Sequence, residues 1–253
     1  MGYAEFELDI PEVIRLELPK YFDGLAADPL TEQNIQTIPA AAQGAYMLLL
    51  DEALIYIGKT DAQAGFRTRL TRHLHNIQHR KNLDPARVLF KAVRIFVFSN
   101  FDLETMLIEE YGKRGGRPIW NFSGFGSNDP GRRREAQEPA KFDLDYPVDI
   151  DREITFVQAG THSLLETLVT LKGRLPYLLR YDAEDRGYRR GHADMEDQTV
   201  AIPSGTVTTR VILQAILNAL PPAWQATVLP NRVILYKEDA VYTQQIEALR
   251  RKP

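Results

Sequence analysis

The stretch GAYMLLLDEALIYIG, residues 44–58, decides how the amino-terminal half of the chain folds. An apolar run to Leu50, the polar pair Asp51-Glu52 and a second apolar run to Gly58 read as an antiparallel hairpin. Two registers are open. With a three-residue loop at 51–53, Leu50 faces Leu54, Tyr46 lies opposite Gly58 and Tyr56 opposite Leu48. Side chains alternate between faces, so Tyr46, Leu48 and Tyr56 then share one face and the phenols are diagonal neighbours. A two-residue loop sends the tyrosines to opposite faces.

Downstream, GKTDAQAG (58–65) is a turn-rich loop and FRTRLTRHLHNIQH (66–79) a helix, with Leu70, Leu74 and Ile77 at i, i+4 and i+7. VLFKAVRIFVF (88–98) is β-branched and aromatic, the composition of a third strand. Asn100 or Asp102 can cap a second helix, DLETMLIEEYG, ended by Gly112. The order β-β-α-β-α is a compact α/β (α+β) unit. Upstream, residues 1–43 read as a helical or irregular lead-in, with a short helix in LTEQNIQTIP stopped by Pro39.

After the first unit, residues 135–153 are charged and contain prolines, the mark of a linker or wrapping arm. Residues 154–253 carry an internal echo. Gly160-Thr161 leads to Leu168, Leu171, Leu175 and Pro176, and Gly205-Thr206 leads to Leu213, Ile216, Leu220 and Pro221. Each copy predicts a capped amphipathic helix stopped by proline and followed by a strand, YLLRY or WQATVL, and a last hairpin turns at Pro230-Asn231. This half reads as an α/β accessory domain without evident chemistry.

Composition narrows the function classes. With 44% apolar and 26% charged residues the chain is a globular protein of one large domain or two ordinary ones. No apolar run approaches a bilayer span, and the interrupted, acidic amino terminus does not resemble a signal peptide, so a cytoplasmic location is expected. The absence of cysteine excludes disulfides, thiolate catalysis and cysteine-ligated zinc. The net charge of −3 is unevenly spread, with +8 over residues 59–134 and −11 over the rest. A local basic block favours an anionic partner; the alternative is a chance clustering of solvated charges.

Three groups of residues can carry chemistry. Arg69 and His73, four apart on the first helix, share a face beside the apolar stripe; an arginine can hold a phosphate and a histidine can exchange a proton. A solvated helix surface explains the same pair, and His75 with His79 repeats the spacing on another face. Glu104 lies in line with Leu107, Ile108 and Tyr111, and a carboxylate at a core margin is paired, protonated, metal-bound or leaning out to solvent. Gly124, Gly126 and Gly131 precede Arg132, Arg133 and Arg134, which can meet phosphates, although without nucleotide-loop spacing the segment also reads as a surface turn.

Taken in order, GAY at 44–46, YIG at 56–58, Arg69-x-x-x-His73, Glu104 before Leu107-Ile108, and Pro118-Ile119-Trp120-Asn121 resemble the motifs of the GIY-YIG nuclease superfamily. Ala45 stands where the name has isoleucine. The resemblance covers about residues 40–125, and GFGSNDPGRRR extends it to about 134 by likeness to the GIY-YIG type II restriction endonucleases.

The resemblance implies a small nuclease core at 44–134, with a mixed three-stranded sheet flanked by helices and both tyrosines facing the active site. It implies a sequence-specific endonuclease on double-stranded DNA, with Glu104 binding one Mg²⁺ (or Mn²⁺) and Arg69 stabilising phosphoryl oxygens. Tyr46, aided by His73, would activate water; Tyr56 would act in the same network, Asn121 would orient neighbouring groups, and Lys59, Arg132, Arg133 and Arg134 would contact DNA. A homodimer on a palindromic site and functional pairing with a cognate DNA methyltransferase follow for a restriction enzyme. The alternatives are a GIY-YIG nuclease of repair, mobile-element or toxin type, and a non-catalytic DNA-binding module.

Overall fold

The computed structural model describes residues 2–5, 9–61, 63–96, 102–115, 118–122, 125–126, 138–183 and 187–252. They form an α+β protein of two compact units, Met1–His75 with Asp84–Ser123, and Asn76–Leu83 with Gly124–Pro253. Among the described residues no helix is long and apolar enough to cross a membrane.

The first unit contains α1 (Ile10–Gly24), β1 (Asp28–Pro29), α2 (Glu32–Thr37), β2 (Gly44–Leu50), β3 (Ala53–Lys59), α3 (Phe66–Ile77, its last two residues belonging to the second unit), β4 (Val88–Arg94), α4 (Leu103–Gly115) and α5 (Ile119–Phe122). The expected mixed three-stranded sheet is a four-stranded antiparallel one, in the order β1-β4-β2-β3, because Asp28 and Pro29 pair with Phe90 and Leu89. Residues 9–43, within the stretch expected as a helical or irregular lead-in, contribute α1, β1 and α2 to this unit. Asp9 caps α1 by accepting from the Glu12 amide, and Leu18 and Phe22 pack with Ala45, Met47, Ile57, Leu103, Met106 and Leu107.

The hairpin combines the two registers left open by its sequence. Its turn is Asp51-Glu52 alone, both at positive φ (50° and 67°), and Leu50 pairs with Ala53. Between Leu48 and Leu49 the ladder shifts, leaving Ile55 as the extra residue of a β-bulge; beyond it Leu48 faces Tyr56 and Tyr46 faces Gly58. The three-residue loop is therefore wrong, while the register it implied for the tyrosines holds. The bulge supplies the one-residue offset that the shorter turn removes.

Three element limits also differ from expectation. α3 ends at Ile77, and His79 adopts a positive φ of 50°. β4 ends at Arg94, and residues 97–98 lie outside the described set. α4 continues past Gly112 to Gly115; Asp102 stands at its start, accepting from the Met106 amide and the Thr105 hydroxyl, while Asn100 lies outside the described residues.

The second unit contains α6 (Lys141–Asp145), β5 (Gly160–Ser163), α7 (Leu164–Arg174), β6 (Leu178–Tyr181), β7 (Thr199–Ile202), α8 (Thr209–Ala219), β8 (Trp224–Leu229), β9 (Arg232–Lys237) and β10 (Glu247–Arg250). The echo is real: α7 and α8 each have eleven residues, are capped by Ser163 and Thr208, and stop before Pro176 and Pro221. β6 runs parallel to β9 in the sheet β10-β8-β9-β6, and β5 pairs with β7. Of the segment expected as a linker or wrapping arm, residues 138–153 belong to this unit. Val148 and Ile150 enter its core, while buried Asp143 pairs with buried Arg80 at 2.9 Å.

Candidate active site

Alternation along β2 sorts its side chains. Ala45 and Met47 pack with α1 and α4, so Tyr46 and Leu48 face the other side, where Phe66 meets the Tyr46 ring edge-on at 6.3 Å. The Tyr46 and Tyr56 centroids are 6.0 Å apart, and those of Tyr46 and Tyr56 lie 5.6 and 5.0 Å from His73. The Tyr46 hydroxyl and His73 Nε2 are hydrogen-bonded at 2.8 Å. The two phenols act on each other electrostatically. Sequence spacing placed His73 on a reachable helix face; in the fold it is buried, only 2% exposed.

The glycines of the two tyrosine motifs have separate steric causes. A Cβ on Gly58 would stand 2.5 Å from both Cζ and the hydroxyl of Tyr46, so only glycine leaves room for that ring. A Cβ on Gly44 would meet the Val93 carbonyl at 2.0 Å. Thr60 then closes the open end of the hairpin: its amide donates to the Gly44 carbonyl, and its Oγ1 accepts from the Gly44 amide at 2.7 Å.

Burial sets the direction of the shift at each titratable group of the cluster, and neighbouring charges oppose it at some and reinforce it at others. Burial pushes the Tyr46 phenol far up, with the neighbouring Tyr56 adding, while Arg69 and Arg72 pull it down. Tyr56 is raised by burial and then by the Glu104 charge. His73 is lowered to about 3 by burial, helped by Arg72 and Arg69, and is therefore neutral at physiological pH. Glu104, half-buried on the first turn of α4, is raised first by burial and then by Asp102, with the Lys59 charge and amide and the Arg69 charge opposing. Among the described residues no cation forms an ion pair with Glu104: Lys59 pairs instead with Asp102 at 2.8 Å, and Arg69 with Asp61 at 2.6 Å. The Lys59 ammonium and the Thr105 hydroxyl hold Asp102 down at about 2.

Asn121 acts on the sheet. Its Oδ1 accepts from the Ile57 amide at 2.8 Å and its Nδ2 donates to the Ile57 carbonyl at 2.7 Å. Because β3 is the edge strand, the amide side chain takes the place of a further strand at the residue between Tyr56 and Gly58.

The fold thus brings together Tyr46, Tyr56, Arg69 and His73, with Glu104 acting electrostatically on Tyr56 and Asn121 fixing the strand. Arg132, Arg133 and Arg134 lie outside the described residues. His75 is exposed and the His79 ring lies tilted toward Tyr177 with centroids 6.4 Å apart, so the repeated spacing forms no metal-holding group among the described residues. No group of three His, Cys, Asp or Glu able to hold a metal occurs among the described residues. Spacing overlooked Thr60, Asp61 and Arg72; an Asp opening a turn before small residues was the one usable signal.

In comparisons with known proteins, no protein-family model matches the chain and no curated protein matches it.

Proposed function

We propose that the protein is a GIY-YIG nuclease that hydrolyses DNA phosphodiesters with Mg²⁺ (or Mn²⁺), and within that superfamily a type II restriction endonuclease. The observation that carries the reading is the buried Tyr46–His73 hydrogen bond beside Tyr56, with Arg69 and Arg72 acting on all three rings. A purely structural tyrosine needs one hydrogen-bond partner; a proton acceptor, a second phenol and two cations together suit an anionic substrate and a proton transfer.

The donor set supports a hydrated cation. Glu104 is a half-buried carboxylate without an ion-pair partner among the described residues, and Mg²⁺ commonly takes one or two carboxylates and keeps its remaining waters and substrate phosphate oxygens. When bound there, the metal would neutralise the scissile phosphate and the departing oxygen. Arg69 would hold a phosphoryl oxygen by charge-assisted hydrogen bonds. Tyr46 would take the proton of the attacking water as its own passes to His73 Nε2, the neutral ring being able to accept it with its other proton on Nδ1. The free protein keeps both groups neutral, so an anionic phosphate that favours imidazolium and cations that favour phenolate must act together.

A cytoplasmic homodimer would present two such sites to a palindromic duplex, one for each strand, and a restriction role would pair it with a DNA methyltransferase. Digestion of a large defined DNA with Mg²⁺, followed by sequencing of the ends, tests the proposal. Discrete fragments with one common end sequence are expected; a smear would move the enzyme to the repair, mobile-element or toxin class, and intact DNA would leave a binding module.

A further inference from the structure

The loop between β3 and α3 places an unassigned carboxylate against the arginine of the site. Asp61 Oδ1 accepts from the Gln63 and Ala64 amides at 2.9 and 2.7 Å, an Asx turn that fixes the carboxylate before it meets anything else. Its Oδ2 then accepts from Arg69 Nη2 at 2.6 Å. Arg69 Nε is buried and has no hydrogen-bond partner among the described residues. A buried unpaired donor is costly, and an arginine is costly to immobilise, so this orientation needs a holder. Asp61 is half-exposed, and such an ion pair adds little to stability. Its effect is orientational.

We infer that Asp61 is the positioning residue for Arg69, clamping the guanidinium by Nη2 and so fixing the direction in which its exposed part meets an oxyanion. The kinetic part of this inference rests on the nuclease reading; the geometric part does not. Asp61→Asn is a clean probe, since the amide retains an Oδ1 for the Gln63 and Ala64 amides and puts a donor in place of the charged acceptor facing Arg69.

Two measurements separate the inference from the reading it deepens. In arginine-labelled protein, with the Arg69 Nε–H resonance assigned through Arg69→Lys, Asp61→Asn is expected to speed its exchange with solvent at least about tenfold as the clamp opens. In single-turnover cleavage with Mg²⁺, Asp61→Asn is expected to slow the reaction about 10- to 100-fold, by misplacing one group. DNA binding measured in Ca²⁺ stays equal or tightens, because a negative charge has left the site. The double variant with Arg69→Lys should be no slower than Arg69→Lys alone. Unchanged exchange overturns the clamp whether or not DNA is cut. Faster cleavage overturns it by showing that Asp61 masks Arg69. A wild-type protein that cuts nothing, yet shows the exchange change, removes the nuclease reading and leaves the clamp.

Discussion

Two buried tyrosines, one in each unit, show what burial by itself does and does not make. Tyr46 is 0% exposed and Tyr177 6%, and burial pushes both phenols well above their ordinary range. Tyr177 donates to the Thr209 hydroxyl at 2.9 Å, and Asp149 and Asp151 raise it further. Tyr46 meets the imidazole of His73, and the charges of Arg69 and Arg72 act on it to lower it. A hydroxyl next to carboxylates keeps its proton and ties a helix to its neighbour. A hydroxyl next to an imidazole and two guanidiniums has somewhere to send a proton and a field that helps it leave. The contrast lies in the partners, not in the depth.

The comparison breaks first at Glu104. Glu104→Gln keeps the shape and removes the charge that acts on Tyr56; cleavage is expected to fall by at least about a thousandfold, with DNA binding retained in gel shifts. Near-normal turnover with Mg²⁺ would take Glu104 out of the site and leave Tyr46 no more chemical than Tyr177.

Next comes the pair itself. Tyr46→Phe is expected to slow single-turnover cleavage about 10²- to 10⁴-fold, the range for a lost proton-transfer group, while Tyr177→Phe leaves the rate unchanged. Equal rates for the two variants would erase the distinction between the two tyrosines.

His73 sharpens it through pH. Its folded pKa is about 3 against an ordinary 6.5, so the unfolded chain takes up the proton first as pH falls. The stability is whole above pH ~6.5 and is lost as pH drops toward ~3, amounting to about 2 kcal/mol by pH ~5. Urea midpoints at neutral pH and near pH ~5 should show this loss in the wild type and a shallower one in His73→Gln. The lowered carboxylates, Asp61 and Asp102 among them, lose their contribution only below about pH 4, outside that interval. Equal slopes would place His73 in contact with water.

The smallest effect belongs to Tyr177. Removing its hydroxyl should cost about 1 kcal/mol of stability, one ordinary buried hydrogen bond, read as a lowered urea midpoint with an unchanged slope.

Local spacing was a good guide where the structure depends on neighbours in sequence. The hairpin, the α3 stripe at Leu70 and Ile77, and the repeated helix-proline-strand pattern of α7 and α8 all follow from alternation, helical period and capping. The tyrosine motif, Arg69, His73, Glu104 and Asn121 could be picked out as residues. Their arrangement could not. The Asp51-Glu52 turn and the bulge at Leu48/Leu49 cancel each other's offset, and a one-residue irregularity leaves no periodic trace. α1 joins the first core by packing Leu18 and Phe22 against strands some 25 residues and more downstream. Asn121 pairs with Ile57 across 64 residues, and Asp61 rather than a phosphate holds Arg69. Those contacts belong to tertiary structure because a hydrogen bond between distant residues is selected by the closed fold, after the chain entropy separating them has been lost, and not by the propensities of either residue.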